Sequence, residues 1–278
     1  MSIASIFGPR RSSDAPVKDD FYQTRHGRIH CRTLGEGIPL FLMHSNGRSA
    51  HEFDALAGAL AHRFRVVSWD MPGQGDSDRL SRHFTIREYS DLAVDLALEI
   101  FGGVKAIMAG ASIGAAFALA AGTDHPDRVA GVVPIELPVS RDERWWHDHW
   151  TMVETMFSCP DEPAEKLHAR FREVTPELAA RLRIDRHKAG TWAMMDAMWA
   201  GREDANATHG RIRNLRVPSL FVNGDKGVAA DAATILSNLN ETAKLIVMKN
   251  SGHFPHTDDP PGVAAVIGAV FGDDGNKL

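Results

Sequence analysis

The sequence of 278 residues is poor in cysteine, with only Cys31 and Cys159. Two thiols cannot build a disulfide framework or a four-thiolate zinc site. A reducing compartment fits this composition, so we expect a cytoplasmic protein. The sequence also lacks internal repeats and low-complexity segments, which argues against a repeat architecture.

Long apolar runs and an excess of positive charge are also missing. No apolar run approaches the roughly 18 residues that a membrane span needs, so we predict no membrane partner. The pair Arg10-Arg11 could belong to a twin-arginine signal, but no apolar segment follows it. The formal net charge is −5, and a mildly acidic protein gains no counterion-release energy from a phosphate backbone. We therefore expect no nucleic-acid partner.

The overall composition is that of a folded globule, with 44% apolar and 24% charged residues. Because α/β folds of this length commonly form one core, we predict one catalytic domain with an insertion. We expect a mobile N-terminal arm over residues 1–19. The two parts of the core are expected over 20–137 and 211–278, with a helical cap over 138–210 between them.

Short apolar runs alternate with amphipathic segments along the core. Residues 21–33 have the pattern of a hairpin, and 39–43 and 65–69 that of strands buried on both faces. Thr85 and Glu88 form a capping box that opens a helix. Further strands are expected at 104–109, 130–135, 218–222 and 244–248, and helices at 49–61, 113–124, 229–238 and 261–271. This alternation predicts an α/β fold with a mostly parallel sheet covered on both faces.

The segment Gly110–Gly114 has the pattern of a nucleophile elbow. It reads G-x-S-x-G and stands between a buried strand and a helix of small residues. Glycines are needed there because the chain doubles back in a strained turn. We expect Ser112 to be the nucleophile. The N–H of Ile113, at the helix N-terminus, is expected to donate to an oxyanion.

Two other loops are expected at the same edge of the sheet. The loop after the strand that ends at Met43 contains Asn46, whose backbone N–H we predict as the second oxyanion donor. Ser45 in the same loop is a candidate substrate contact. His253 follows the last predicted strand and suits a general base, because histidine titrates near neutrality. Its neighbour Phe254 is a candidate substrate contact as well.

Two carboxylates compete to orient His253. Proteins with such an elbow commonly carry an acid after the penultimate strand, three residues beyond a glycine. In this sequence the glycine is Gly224 and the expected acid position is occupied by Gly227. Asp225 comes only one residue after Gly224. Glu136 closes an apolar strand, where a charge is costly unless it has a partner. Because a buried carboxylate needs a role, we favour Glu136 over Asp225. The order nucleophile, acid, histidine along the chain is also the order found in proteins with this elbow.

The segment 138–210 interrupts the alternation of strands and helices. It holds five of the six tryptophans and five of the ten methionines, and its pattern is helical. Such side chains line ligand pockets, although packing within an inserted layer would use the same residues. We predict a cap over the site with these substrate contacts: Trp145, Trp146, Trp192 and Met195.

Neither a metal nor a cofactor is expected. The run His147-Asp148-His149 contains ligand-type side chains. Alternating residues on a helix point to different faces, so these side chains do not converge on one ion.

Four segments resemble the α/β-hydrolase superfamily and, within it, the zearalenone lactone hydrolases. They are Phe64–Val66 leading to Asp70–Gly73, Pro126–Arg128, Glu136–Pro138 and Gly252–Pro255. The resemblance covers residues 20–272. It implies the α/β-hydrolase fold: a mostly parallel eight-stranded sheet, helices on both faces and an inserted helical cap. It also implies a Ser–Glu–His triad that includes Glu136. The zearalenone lactone hydrolases have glycine at the position of Asn46. The cap of this sequence shows no likeness to the cap of that family.

These residues predict a serine hydrolase that cleaves a small apolar ester or lactone, such as a zearalenone-like macrolactone, through an acyl-enzyme. A homodimer is an assembly that the sequence allows. Three alternatives stay open. The same triad would serve a hydrolase of a carbon–carbon bond in a diketone or dienone. A cofactor-free dioxygenase of this fold places its acid and base in the same way. A non-enzymatic receptor would keep the pocket without turnover.

Overall fold

The computed structural model describes residues 16–162, 164–229 and 232–272. In chain order the strands are β1 (Lys18–Thr24), β2 (Gly27–Leu34), β3 (Ile38–Met43), β4 (Phe64–Trp69), β5 (Ala106–Ala111), β6 (Val129–Ile135), β7 (Leu220–Gly224) and β8 (Lys244–Met248). The helices are α1 (Asp54–Leu60), α2 (Ile86–Ile100), α3 (Ile113–Asp124), α4 (Glu143–Phe157), α5 (Ala164–His168), α6 (Pro176–Glu203), α7 (Ala207–Asn214), α8 (Ala232–Leu239), α9 (Pro255–Asp258) and α10 (Pro260–Phe271). A 3₁₀ turn, Ala50–Phe53, precedes α1.

The strands form a sheet in the order β1-β2-β4-β3-β5-β6-β7-β8. β2 pairs antiparallel with β1 and with β4, and the pairs from β3 onward are parallel. Parallel neighbours need a crossover connection, which explains why helices separate these strands along the chain. The mostly parallel eight-stranded sheet expected from the sequence is confirmed.

Helices cover both faces of the sheet. On one face, α2 and α3 pack against a core that includes Trp69 and Phe117. On the other face, α1 and α10 bury Leu56 and Ile267. The predicted capping box is present: the Glu88 N–H donates to Thr85 Oγ1 over 3.2 Å, and the Thr85 N–H donates to Glu88 Oε2 over 3.0 Å. This local signal explains why the start of α2 could be predicted.

The crossover between β6 and β7 is enlarged by four helices, α4 to α7. The Asp142 side chain caps α4 by accepting from the Trp145 N–H over 2.8 Å. α6 begins with Pro176 after the cap Thr175, and it is interrupted at Gly190, where φ is +67°. This insertion forms the helical cap expected from the sequence.

The predicted arm over residues 1–19 differs from the structure at its end. Residues 1–15 lie outside the described residues, as do residues 273–278 of the second core part. Lys18 and Asp19 belong to β1, where they pair with Thr33 and Arg32, so the arm does not extend through residue 19. Among the described helices, none is long and apolar enough to cross a membrane.

Candidate active site

Loops at the carboxyl edge of the sheet hold the principal candidate residues. They are Asn46 after β3, Ser112 after β5, Glu136 after β6 and His253 after β8. Parallel strands end at the same edge, where open α/β sheets bind their ligands. Ala111 pairs with Ile135 at the ends of β5 and β6, so the loops with Ser112 and Glu136 begin side by side.

The Ser112 backbone has the strained geometry of an elbow, with φ +54° and ψ −113°. Its N–H donates to the Ile135 carbonyl over 2.9 Å. A Cβ on Gly110 would lie 2.1 Å from the Gly114 oxygen, and a Cβ on Gly114 would lie 2.2 Å from the Met43 oxygen. Glycine is therefore required on both sides of the serine, as the sequence pattern predicts.

A cavity opens over this edge and is lined by Ser112, Ile113, Asn46 and His253. Its empty space, with the open solvent at its mouth included, is about 1030 Å³. Its walls are largely apolar and include Ile86, Leu137, Met152, Val153, Phe157 and Met198. In the described part of the chain the Ser112 hydroxyl has no hydrogen-bond partner, so it is available to a ligand.

His253 is held by a buried carboxylate. Its Nδ1 lies 3.1 Å from Glu136 Oε2, and Glu136 has no exposed surface. The N–H groups of Gly224, Val228 and Ala229 donate to the same carboxylate over 2.7, 2.9 and 3.3 Å. These hydrogen bonds replace those that the carboxylate would make with water, which offsets the cost of burying its charge.

The Glu136 carboxylate fills the space that an acid after β7 would use. A Cβ on Gly227 would lie 2.0 Å from Glu136 Oε1, so the two positions cannot both carry a side chain here. Asp225 is exposed, and its Oδ1 accepts from the Ser251 N–H over 3.1 Å. Of the two competing acids, Glu136 is therefore the one that contacts the histidine.

The electrostatic environment keeps His253 neutral near pH 7. Burial lowers the pKa of His253 below its ordinary value, and the hydrogen bond and charge of Glu136 oppose this effect. The positive charges of Arg170 and Arg141 lower the pKa further. A neutral ring with Nδ1–H on the carboxylate leaves Nε2 free to accept a proton.

The two predicted oxyanion donors lie on fixed backbone. The Ile113 N–H is in the first turn of α3, where no intrahelical acceptor exists. The Asn46 side chain donates to the Met194 carbonyl over 2.8 Å and accepts from Gln74 Nε2 over 3.0 Å. Gln74 Oε1 also accepts from the Gly47 N–H over 2.7 Å. The loop of Gln74 thus braces the predicted oxyanion loop.

A buried acid holds Ser45, the neighbour of Asn46. The Ser45 N–H and hydroxyl both donate to Glu52 Oε2, over 2.8 and 2.9 Å. His256 Nε2 lies 2.8 Å from Glu52 Oε1. Burial alone would raise the pKa of Glu52, but the hydrogen bond and charge of His256 lower it to about 2. Sequence reasoning missed this pair, because its residues are distant along the chain.

The structure places only some of the predicted substrate contacts at the cavity. Those that line the cavity are Ser45, Trp145, Trp146 and Phe254. Trp192 and Met195 do not line it, and Trp192 is 59% exposed. Of the nearby residues on α6, Met198 lines the cavity instead. The structure therefore does not place Trp192 and Met195 at the cavity, where the sequence predicts them.

Two arginines of the cavity wall were missed by sequence reasoning. Arg141 and Arg170 both line the cavity. Arg170 forms an ion pair with Glu162. Arg141 lies on the loop that begins with Glu136 after β6, and its place on that loop is the signal that could have identified it.

A group of possible metal ligands lies elsewhere, at His30, Asp70 and Asp76, with ligand atoms within 4.8 Å of one another. Asp70 already accepts from the Ala50 N–H over 2.6 Å and the Asp76 N–H over 2.7 Å, and it contacts His30 Nδ1 over 2.8 Å. These hydrogen bonds assign the group to the support of two loops.

Comparisons with known proteins agree with this architecture. Haloalkane dehalogenase 2 of Mycobacterium bovis is 25% identical, covering 92% of this chain and 96% of that protein. The 2-(acetamidomethylene)succinate hydrolase of Mesorhizobium japonicum is 25% identical, covering 88% of this chain and 94% of that protein. The crystal structure of naproxen esterase from Bacillus subtilis superposes with a TM-score of 0.74 at 19% identity, covering 93% of this chain and 92% of that chain.

The family described as the alpha/beta hydrolase fold matches residues 38–260, which include all the loops that form the cavity edge. The strand order, the serine elbow after β5 and this match lead to one conclusion: the chain belongs to the alpha/beta hydrolase fold family.

Proposed function

We propose that this protein is a serine hydrolase that cleaves an ester or a lactone through a covalent acyl-enzyme. The observation that supports it best is the arrangement around one cavity. Ser112 stands at a strained elbow, and His253, backed by the buried carboxylate of Glu136, lines the same cavity. A nucleophile, a base and a group that orients the base are the parts that acyl transfer requires.

In the proposed reaction, His253 takes the proton of Ser112 as the serine oxygen attacks the carbonyl carbon. The N–H groups of Ile113 and Asn46 donate to the oxyanion, and each such donor contributes about 10²–10³ in rate. The imidazolium, stabilised by Glu136, then gives its proton to the leaving alcohol. Water activated by His253 attacks the acyl-enzyme and releases the acid and the free serine.

The nucleophile type favours an acyl substrate over a haloalkane. Attack of a serine oxygen on an alkyl carbon would expel halide but leave an ether, which a water activated by histidine does not cleave. Attack on an acyl carbon leaves an ester, which such a water does cleave. The similarity to a haloalkane dehalogenase therefore does not extend to that reaction in our proposal, because Ser112 stands at the elbow.

The cavity favours a substrate with an apolar body. Trp145, Trp146 and Met152 contribute apolar surface to the cavity that Ser112 also lines. A lactone fits the same chemistry, but its leaving alcohol stays attached to the acyl group until the ring-opened hydroxy acid departs. A zearalenone-like macrolactone is therefore a substrate to test beside open aryl esters.

The test compares the wild type and Ser112→Ala on aryl esters, a macrolactone and a dienone ring-cleavage product. We expect an ester to give acid and alcohol, and a lactone to give one hydroxy acid. Ser112→Ala should retain less than roughly 1% of the activity, because removal of a triad nucleophile costs far more than that. Turnover that survives this substitution, cleavage of the dienone alone, or oxygen consumption would overturn the proposal.

A further inference from the structure

Arg141 is a cation in the wall of the active-site cavity. It lies on the loop between β6 and α4, together with Leu137 and Pro138, which also line the cavity. Its guanidinium carbon lies 4.2 Å from the centroid of the Trp145 ring. This stacking orients the planar group, as is typical of arginine on aromatic faces.

The Arg141 guanidinium has no acidic partner among the described residues. In the described part of the chain it makes neither a hydrogen bond nor an ion pair, whereas Arg170 is paired with Glu162. The carboxylate that lines the same cavity, Asp204, is bound by Arg211. The cavity therefore presents a positive charge that no described residue neutralises by direct contact.

The buried acid of the site does not serve as that partner. Glu136 influences Arg141 electrostatically, but its carboxylate oxygens are already taken by His253 and by three backbone N–H groups. Burial lowers the pKa of Arg141 to about 10, so the guanidinium stays charged at neutral pH. A partly buried charge without a counter-ion is costly unless a ligand supplies one.

We propose that Arg141 anchors a carboxylate of the substrate, so that the ester or lactone carries a negative charge on an otherwise apolar body. This inference deepens the proposed function and rests on it. The guanidinium fork matches the two oxygens of a carboxylate. Arg170 offers a second donor, since its buried Nε has no acceptor in the described structure. The apolar residues that line the same cavity would contact the rest of the molecule.

The experiment uses two esters of the same chain length, p-nitrophenyl hydrogen adipate, which is anionic, and p-nitrophenyl hexanoate, which is neutral. The quantity measured is the ratio of kcat/KM for the anionic ester to that for the neutral ester. Arg141→Met keeps an apolar stem and removes the charge. We expect this variant to lower the ratio by roughly 10- to 100-fold, as expected for the loss of a hydrogen bond between charged groups.

Arg144→Met is the matched control. It removes the same charge three residues further on, from a side chain that is 89% exposed and pairs with Asp148 on the surface of α4. We expect the control to leave the ratio within about twofold, because an exposed charge is screened by water and salt. If Arg141→Met changes kcat/KM of both esters by the same factor, Arg141 only packs against Trp145 and the inference is overturned.

A binding measurement separates this inference from the proposed function. Titration of 4-phenylbutyrate and of 4-phenyl-1-butanol into Ser112→Ala, followed by calorimetry, requires no turnover. We expect the carboxylate to bind more tightly than the alcohol, and this preference to disappear in Ser112→Ala/Arg141→Met. If the protein hydrolyses neither ester but shows this preference, the hydrolase proposal fails and the carboxylate anchor stands. If Ser112 drives hydrolysis and the preference is absent, the anchor fails and the hydrolase proposal stands.

Discussion

Backbone strain at the residue scale is concentrated at the edge of the sheet that forms the cavity. Among the described residues, the non-glycine residues with positive φ are Ser112, Glu136 and Asn250. Such conformations cost about 1–3 kcal/mol each and persist only where the surroundings fix them. The Ser112 N–H is fixed by the carbonyl of Ile135, and the Glu136 N–H by that of Val222. The strain thus holds the proposed nucleophile and the acid behind His253 in defined positions.

The charge of Glu136, rather than its shape, should matter for the rate. Glu136→Gln keeps the volume but removes the charge that favours the imidazolium, so we expect kcat to fall by a factor on the order of 10²–10⁴. Asp225→Asn is the matched control and should cost much less, because Asp225 is exposed. Initial rates of the wild type and of the two variants on an aryl ester measure both effects. The opposite ranking would assign the acid to the end of β7.

The pH profile tests the same pair. His253 must be neutral to accept the serine proton, so kcat/KM should rise with pH through its pKa, which burial places below the ordinary histidine value of 6.5. Glu136 raises this pKa. Its neutralisation in Glu136→Gln should therefore move the acidic limb of the profile to lower pH. A movement to higher pH would contradict the assigned role of Glu136.

At the scale of elements, the cap helices differ in what they present to the cavity. α4 places Trp145 and Trp146 in the cavity wall, whereas the tryptophan at position 192 of α6 faces solvent. Sequence composition predicted a cap rich in aromatic side chains but not their orientation. In α6 the orientation depends on packing against the core and on the interruption at Gly190, and neither has a local sequence signal.

The cavity wall formed by Trp145 and Trp146 should therefore discriminate between substrates by size. We expect Trp146→Ala to raise KM for p-nitrophenyl 4-phenylbutyrate by roughly tenfold and to change KM for p-nitrophenyl acetate much less, because a rigid aromatic wall acts only where the ligand reaches it. Trp192→Ala removes the same side chain from outside the cavity and should leave both KM values unchanged. Equal effects of Trp146→Ala on the two esters would mean that Trp146 is only part of the core.

At the scale of the whole molecule, the mostly parallel sheet, the elbow and the cap could be predicted because each has a pattern in the sequence, whereas the order of the strands has none. Glu136 could be favoured over Asp225 because a charge that ends a buried strand needs a partner. That Arg141 has no acidic partner in the described parts of the chain could not be predicted, since it depends on which acids of distant segments are already paired, such as Asp204 with Arg211. Long-range pairing of this kind has no signal in a single sequence.

One such long-range pair makes the stability of the molecule depend on pH. Glu52 connects the 3₁₀ turn with Ser45 after β3 and with His256 in α9, and its pKa is lowered from 4.5 to about 2. A lowered carboxylate pKa stabilises the folded state above the unfolded value of 4.5, and this contribution is lost as the pH falls towards 2.

The expected size of this contribution is about 3 kcal/mol, since each pKa unit corresponds to about 1.4 kcal/mol. Glu52→Gln removes the charge, so its free energy of unfolding should lie about 3 kcal/mol below that of the wild type at pH 7. The difference should shrink as the pH falls from 4.5 towards 2, because the wild-type carboxyl then becomes neutral as well. Urea unfolding at several pH values measures it, with the exposed Glu173→Gln as a surface control. A difference that stays constant with pH would show that packing around Ser45 and His256, and not the charge of Glu52, holds the loop in place.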